Sequence, residues 1–267
     1  MNETDTLVIL GDSWGCGAYT DFNGYRYEPD TKKYAPDYYF TTKFKQYYKN
    51  VVNLSMGGTT NIWNLDSLIS FLNKTDINTS RLKILFIQTE PIRDLPGHWF
   101  FYKIKEYASK NTNMSVAWNF FKDKDYDMLN IIKFELEYFY YVLSIVAKKY
   151  NVTINLVGGL GALHPCVTQY KGINVLVNSW LQLIDPEYVP GLFTTIVPNI
   201  EPGTNPAIAE IYESYEQVLK MQKKWCGKDR NSGATEDIPN YLGYCTDFHP
   251  HHKGIDLLID TIHDKIL

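Results

Sequence analysis

Short aliphatic and β-branched runs alternate along this chain with longer stretches whose apolar residues recur at helical spacing, and that alternation is what most limits the fold. The runs are Leu7-Val8-Ile9-Leu10, ending at Gly11; Val51-Val52-Asn53-Leu54; Ile84-Leu85-Phe86-Ile87; and Ile154-Asn155-Leu156-Val157, stopped by Gly158-Gly159. Between and after them the spacing predicts helices from about Tyr38 to Tyr48, Asn61 to Leu72, Met128 to Tyr150, Pro206 to Trp225 and Gly254 to Leu267, with a further one near Asn174 to Leu183. Strands alternating with helices point to an α/β fold on a mainly parallel sheet. Residues 1–267 read as a single domain with two insertions that leave the alternation, near 91–127 and 161–206. Long segments between core elements tend to carry lids or binding surfaces. The first holds His98-Trp99-Phe100-Phe101-Tyr102 and Trp118-Asn119-Phe120-Phe121; the second is rich in Pro and Gly.

Composition removes several function classes. The net charge is −4, without the basic excess of a nucleic-acid binder, and 45% hydrophobic residues with 6 Trp, 21 Tyr and 13 Phe exclude a disordered chain. Cys16, Cys166, Cys226 and Cys245 are widely spaced with no C-x-x-C pair and read as free thiols rather than a zinc or redox site. The longest nearly apolar stretch, Tyr138 to Ala147, is too short to span a bilayer, so no membrane insertion is expected. The polar start, Met1 to Thr6, runs straight into a strand and has no signal-peptide pattern, so a cytoplasmic or virion location is expected.

Ligands of open parallel sheets bind beyond the carboxyl ends of the strands, and three polar clusters sit at such ends or at helix starts. Gly11-Asp12-Ser13-Trp14-Gly15 follows the first strand. A Ser on such a turn presents its Oγ to a ligand while its N–H faces a developing oxyanion; a plain turn with Ser or Asp as helix cap is the alternative. Asn53-Leu54-Ser55-Met56-Gly57-Gly58-Thr59-Thr60-Asn61 follows the second strand, and its paired glycines expose backbone N–H groups ahead of a helix. Cys245-Thr246-Asp247-Phe248-His249-Pro250 precedes the terminal helix. There Asp247 or a nearby acceptor would fix the tautomer of His249 as it takes a serine proton.

In this order the clusters resemble the SGNH (GDSL-like) hydrolase superfamily. Gly11, Asp12 and Ser13 match its first block, Gly58 its second, and His249-Pro250-His251-His252-Lys253-Gly254 its H-P-x-x-x-G tail. The longer string G-D-S-W-G-C-G, followed by N-L-S-x-G-G and Q-T-E-P-x-R, also looks like SGNH-type proteins encoded by tailed phages. The resemblance implies a three-layer α/β/α sandwich of about five parallel strands. It implies Ser13 as nucleophile, His249 as base, Asp247 as its support, and the N–H groups of Ser13 and Gly58 as oxyanion donors. It implies no metal or cofactor, and a small-molecule or glycan ester as substrate.

Two departures from the family pattern bear on chemistry. Where G-x-N-D is expected the chain reads Gln88-Thr89-Glu90-Pro91, and a carboxylate cannot donate to an oxyanion unless protonated. Either Glu90 pairs with Arg93, or Asn61 supplies the missing donor, or the two N–H groups suffice. Asp247 stands two residues before His249, not three. Asp12, Trp14, Glu90 and Arg93 are the substrate-side candidates, with Trp14 either core or a wall of the acyl pocket. His164-Pro165 repeats the His-Pro pair after the fourth strand, which keeps His164, with His98, as a lesser candidate; His251, His252 and His263 read as solvent-facing.

Overall fold

The first apolar run becomes an interior strand of the sheet. A computed structural model of the chain describes residues 5–16, 27–28, 33–34, 38–74, 79–91, 128–159, 161–188, 250 and 252–267. In it, strand β1 (Thr6–Leu10) pairs in parallel with β2 (Asn50–Asn53) on one side and β3 (Leu82–Gln88) on the other. Strands β4 (Ile154–Gly158) and β5 (Ile173–Val177) continue outward from β3, also in parallel, so the order across the sheet is β2-β1-β3-β4-β5. A two-residue antiparallel ladder, Tyr27–Glu28 with Lys33–Tyr34, stands apart from this sheet.

Side chains on successive strand residues point to opposite faces, and each face finds its own helices. Leu7, Ile9, Leu85, Ile87 and Val157 meet Phe40 and Phe44 of α1 (Tyr38–Phe44). On the other face Val8, Leu10, Ile84, Phe86, Ile154 and Leu156 meet Leu65 and Leu68 of α2 (Asn61–Lys74) and the inner stripe of α3 (Met128–Tyr150), Leu136, Phe139, Tyr140 and Leu143. The first face also takes Trp180 and Leu181 of α4 (Trp180–Ile184) and Ile255, Leu258 and Ile259 of α5 (His252–Ile262). The protein is thus a three-layer α/β/α sandwich on a five-stranded parallel sheet. Strands apolar at every position are what burial on both faces demands, and Leu7 to Leu10 are fully buried.

The fifth strand lies where the spacing predicts a helix. Ile173-Asn174-Val175-Leu176-Val177 is rich in β-branched residues and forms β5; the chain then breaks at Asn178 and restarts as α4, with Ser179 capping it by accepting from Gln182 N at 3.2 Å. Two short elements end to end mimic one helical face, so the described part of 161–206 belongs to the sheet and its cover. The predicted helix near residues 206–225 and the aromatic segments of 92–127 lie outside the described residues.

Candidate functional site

The chain steps from β1 to β2 on one side and later returns to β3 on the other, so the loops leaving β1 and β3 diverge. Such a reversal opens a crevice at the carboxyl end of the sheet. Two segments reach it: the turn Gly11 to Cys16, and Thr89-Glu90 after β3.

The turn is locked from within. Asp12 Oδ1 accepts from Trp14 N at 2.9 Å and Asp12 O from Cys16 N at 3.0 Å, closing one helical turn around Ser13. Cys16 Sγ donates to Ser13 O at 3.3 Å. The turn also sits against its neighbours with no room to spare. A Cβ on Gly15 would lie 2.6 Å from Ser55 Oγ and 2.9 Å from Gly11 Cα, and one on Gly11 would lie 3.1 Å from Ile87 Cβ. Ser13 is buried at 6% exposure.

The loop after β2 is stitched to this turn. Asn53 Nδ2 donates to Gly15 O at 3.0 Å, while Asn53 Oδ1 accepts from Ser55 N at 3.0 Å. The Gly11 carbonyl accepts from Met56 N at 3.1 Å and from Thr59 Oγ1 at 3.3 Å. Between these anchors Met56, Gly57 and Gly58 are exposed, and Gly58 holds φ +78 with no atom within 4 Å of where a Cβ would stand. That is the left-handed region, open to glycine at no steric cost. Thr60 then caps α2, its Oγ1 accepting from Trp63 N at 3.1 Å.

Asn61, the first residue of α2, reaches across to the loop after β3. Its Nδ2 donates to Thr89 O at 3.0 Å and its Oδ1 accepts from Thr89 N at 2.9 Å, a two-point clasp in the buried interior. Glu90 is 7% exposed. Trp14 is 5% exposed and meets Trp180 edge-on, with ring centroids 5.4 Å apart, so it packs in the core and little of it is left to face a ligand. Asp247, His249 and Arg93 lie outside the described residues, as does His98; Pro250, next to His249, is buried.

A second polar chain runs along the α3 side of the same sheet end. Tyr140 Oη donates to Gln88 Oε1 at 2.7 Å and accepts from His164 N at 3.2 Å. His164 caps the short helix Pro165–Gln169: Nδ1 accepts from Cys166 N at 3.3 Å and lies 2.9 Å from Cys166 Sγ. Burial pushes His164 below the ordinary imidazole range. Burial, with the Glu137 charge adding to it, pushes the Cys166 thiol up to about 11. This favours a neutral ring and a protonated thiol. His263, expected in solvent, stacks on Tyr47 at 4.2 Å between ring centroids.

Sequence reasoning singled out the loop from Asn53 to Asn61 but assigned no part to Asn53, Ser55 or Thr59. The available signal was local: Asn two residues before Ser after a strand is an Asx-turn pattern. Nothing local announces the Asn61 and Thr89 pairing, which joins residues 28 apart in sequence. Cys16 and Cys166 are free thiols, as expected. Among the described residues no three His, Cys, Asp or Glu side chains are placed to hold a metal, and no helix is long and apolar enough to cross a membrane.

No family model and no curated protein matches the chain. Among solved structures it is similar to phospholipase A1 from Streptomyces albidoflavus NA297, at 13% identity over 97% of this chain and 99% of that one, with a TM-score of 0.41.

Proposed function

We propose that the protein is a serine esterase acting on a short acyl ester, with an O-acetyl group on carbohydrate as the favoured substrate class. The observation that carries this reading is the position of Ser13: on a locked turn at the carboxyl end of β1, at the point where the strand order reverses, beside the open loop at Gly58. In the proposed cycle Ser13 Oγ attacks the acyl carbonyl and His249 takes its proton, with Asp247 orienting the ring. The N–H groups of Ser13 and Gly58 hold the oxyanion. His249 returns the proton to the leaving alcohol, and water resolves the acyl-enzyme by the reverse route. Asn61, its carboxamide engaged by Thr89, serves here as a positioning residue for the loop that carries Glu90.

Buried Glu90, where the family pattern has a donor Asn, favours a second reading: a weakly active or non-catalytic glycan-binding protein, including a virion component, or an acyltransferase. Turnover of p-nitrophenyl acetate by wild type and by Ser13→Ala separates these. A fall of about a thousandfold or more is expected for the esterase; equal rates would sink it, and acylated product on an added glycan would identify transfer. Glu90→Asn is expected to raise the esterase rate, by up to about a hundredfold if a missing donor limits it.

A further inference from the structure

Among the described residues three buried side-chain atoms have no hydrogen-bond partner: Ser55 Oγ, Asn64 Oδ1 and Thr89 Oγ1. A buried polar group left unpaired costs stability, so its retention calls for a reason. Asn64 Oδ1 can only accept, and Ser55 Oγ lies against Gly15. Thr89 differs from both. It carries a hydroxyl donor immediately before Glu90, the residue that stands where the family pattern has its donor Asn, and it is 4% exposed.

The backbone fixes which way that hydroxyl points. Gln88 O accepts from Gly159 N at 3.3 Å, just beyond the end of β4, whereas Thr89 gives both its N–H and its C=O to the single carboxamide of Asn61. One partner for both backbone groups of a residue, and a different partner for the residue before it, is the pattern of a strand inside a parallel ladder. Thr89 thus extends β3 by one residue, with Asn61 in place of a strand partner. Side chains alternate along such a segment. Gln88 faces α3, where its Oε1 accepts from Tyr140 Oη, so Thr89 faces the opposite layer, which holds Ile87, Trp14 and α5, the helix that follows His249 in the chain. Leu10 and Phe86 stand level in the sheet, and Ser13 and Thr89 are each three residues past that rung.

We propose that the Thr89 hydroxyl is the third oxyanion donor, standing in for the Asn that Glu90 replaces; the assignment rests on the esterase reading. As Ser13 Oγ adds to the acyl carbonyl, the carbonyl oxygen gains charge, and Thr89 Oγ1–H donates to it beside the N–H groups of Ser13 and Gly58. When the tetrahedral intermediate collapses, that bond weakens and the Thr89 proton stays on its own oxygen. In the free protein the hydroxyl has no acceptor to give up. Its β-branched side chain has few rotamers and its backbone is clasped on both groups, so the donor is oriented before substrate arrives.

Steady-state hydrolysis of p-nitrophenyl acetate by the full chain, with urea unfolding of the same variants, tests this. Thr89→Val keeps the branched shape and removes the donor, so kcat and kcat/KM are expected to fall together by about a hundredfold. The urea midpoint is expected to hold or rise, because no hydrogen bond is lost. Thr89→Ser returns the hydroxyl and is expected to keep most of kcat. Glu90→Asn is expected to gain more in the Thr89→Val background than in wild type. A Thr89→Val variant with wild-type kcat, where Ser13→Ala is inactive, would overturn the assignment and leave the esterase reading standing. A Thr89→Ser variant that loses as much kcat as Thr89→Val, or a midpoint that falls in Thr89→Val, would overturn it too. Equal rates for wild type and Ser13→Ala would remove both.

Discussion

Single residues hold the proposed nucleophile turn, and they fail in different ways. Gly15→Ala puts a methyl group against Ser55 Oγ and the Gly11 backbone, so it is expected to cost about 1–3 kcal/mol in chemical denaturation. A shift of the turn by an ångström would also lower the proposed esterase activity by about a hundredfold. Asp12→Ala leaves the buried Trp14 N–H without its acceptor, at about 1–3 kcal/mol, whereas Asp12→Asn keeps an Oδ1 in place and is expected to retain most of the stability. The His164 and Cys166 pair gives stability a two-sided pH dependence. His164 has a depressed folded value, so its contribution is complete above 6.5 and is lost as pH falls through that lower value, because the unfolded ring binds the proton first. Cys166 is raised, so its contribution is complete below 9.0 and is lost as pH rises through about 11. Urea midpoints across pH should show both limbs; His164→Gln should flatten the acid one and Cys166→Ala the alkaline one.

At the scale of elements, two side-chain bridges hold the end of β3. Tyr140→Phe removes the hydroxyl between Gln88 and His164 N, and Asn61→Ala frees both backbone groups of Thr89. Each leaves buried polar groups unpaired, and each is expected to destabilise by about 1–3 kcal/mol in thermal or urea unfolding. If Asn61 positions the loop and does no more, its loss should lower kcat in the proposed reaction and leave the pH profile unmoved. Elements were legible in the sequence where one periodicity ran long enough to stand alone: α3 occupies Met128 to Tyr150, as its spacing predicts. Strand β5 was hidden because a five-residue strand and a five-residue helix are separated by two residues and share apolar positions. The motif at Gly11 to Ser13 was legible because the turn is local; the stitching by Asn53, Thr59 and Asn61 was not, since its partners are chosen by the sheet rather than by neighbours in the chain.

For the whole molecule, one buried amide ties the far ends of the architecture together. Asn155, fully buried in β4, donates to Ile84 O at 3.0 Å and Leu267 O at 3.1 Å, and accepts from Leu267 N at 3.0 Å and from Asn174 Nδ2 at 2.8 Å. Asn155→Ala breaks all of these at once and is expected to cost about 2–4 kcal/mol, read as a lower urea midpoint. The strand order has a further consequence in time. A chain made from its N-terminus can pair β1 with both its neighbours once residue 88 has emerged, and β4 and β5 then add at one edge. Ser13, Gly58, Asn61 and Thr89 all lie within residues 1–89, so a nascent chain assembles the cradle of the proposed nucleophile early, long before residue 249, the proposed base, has been made.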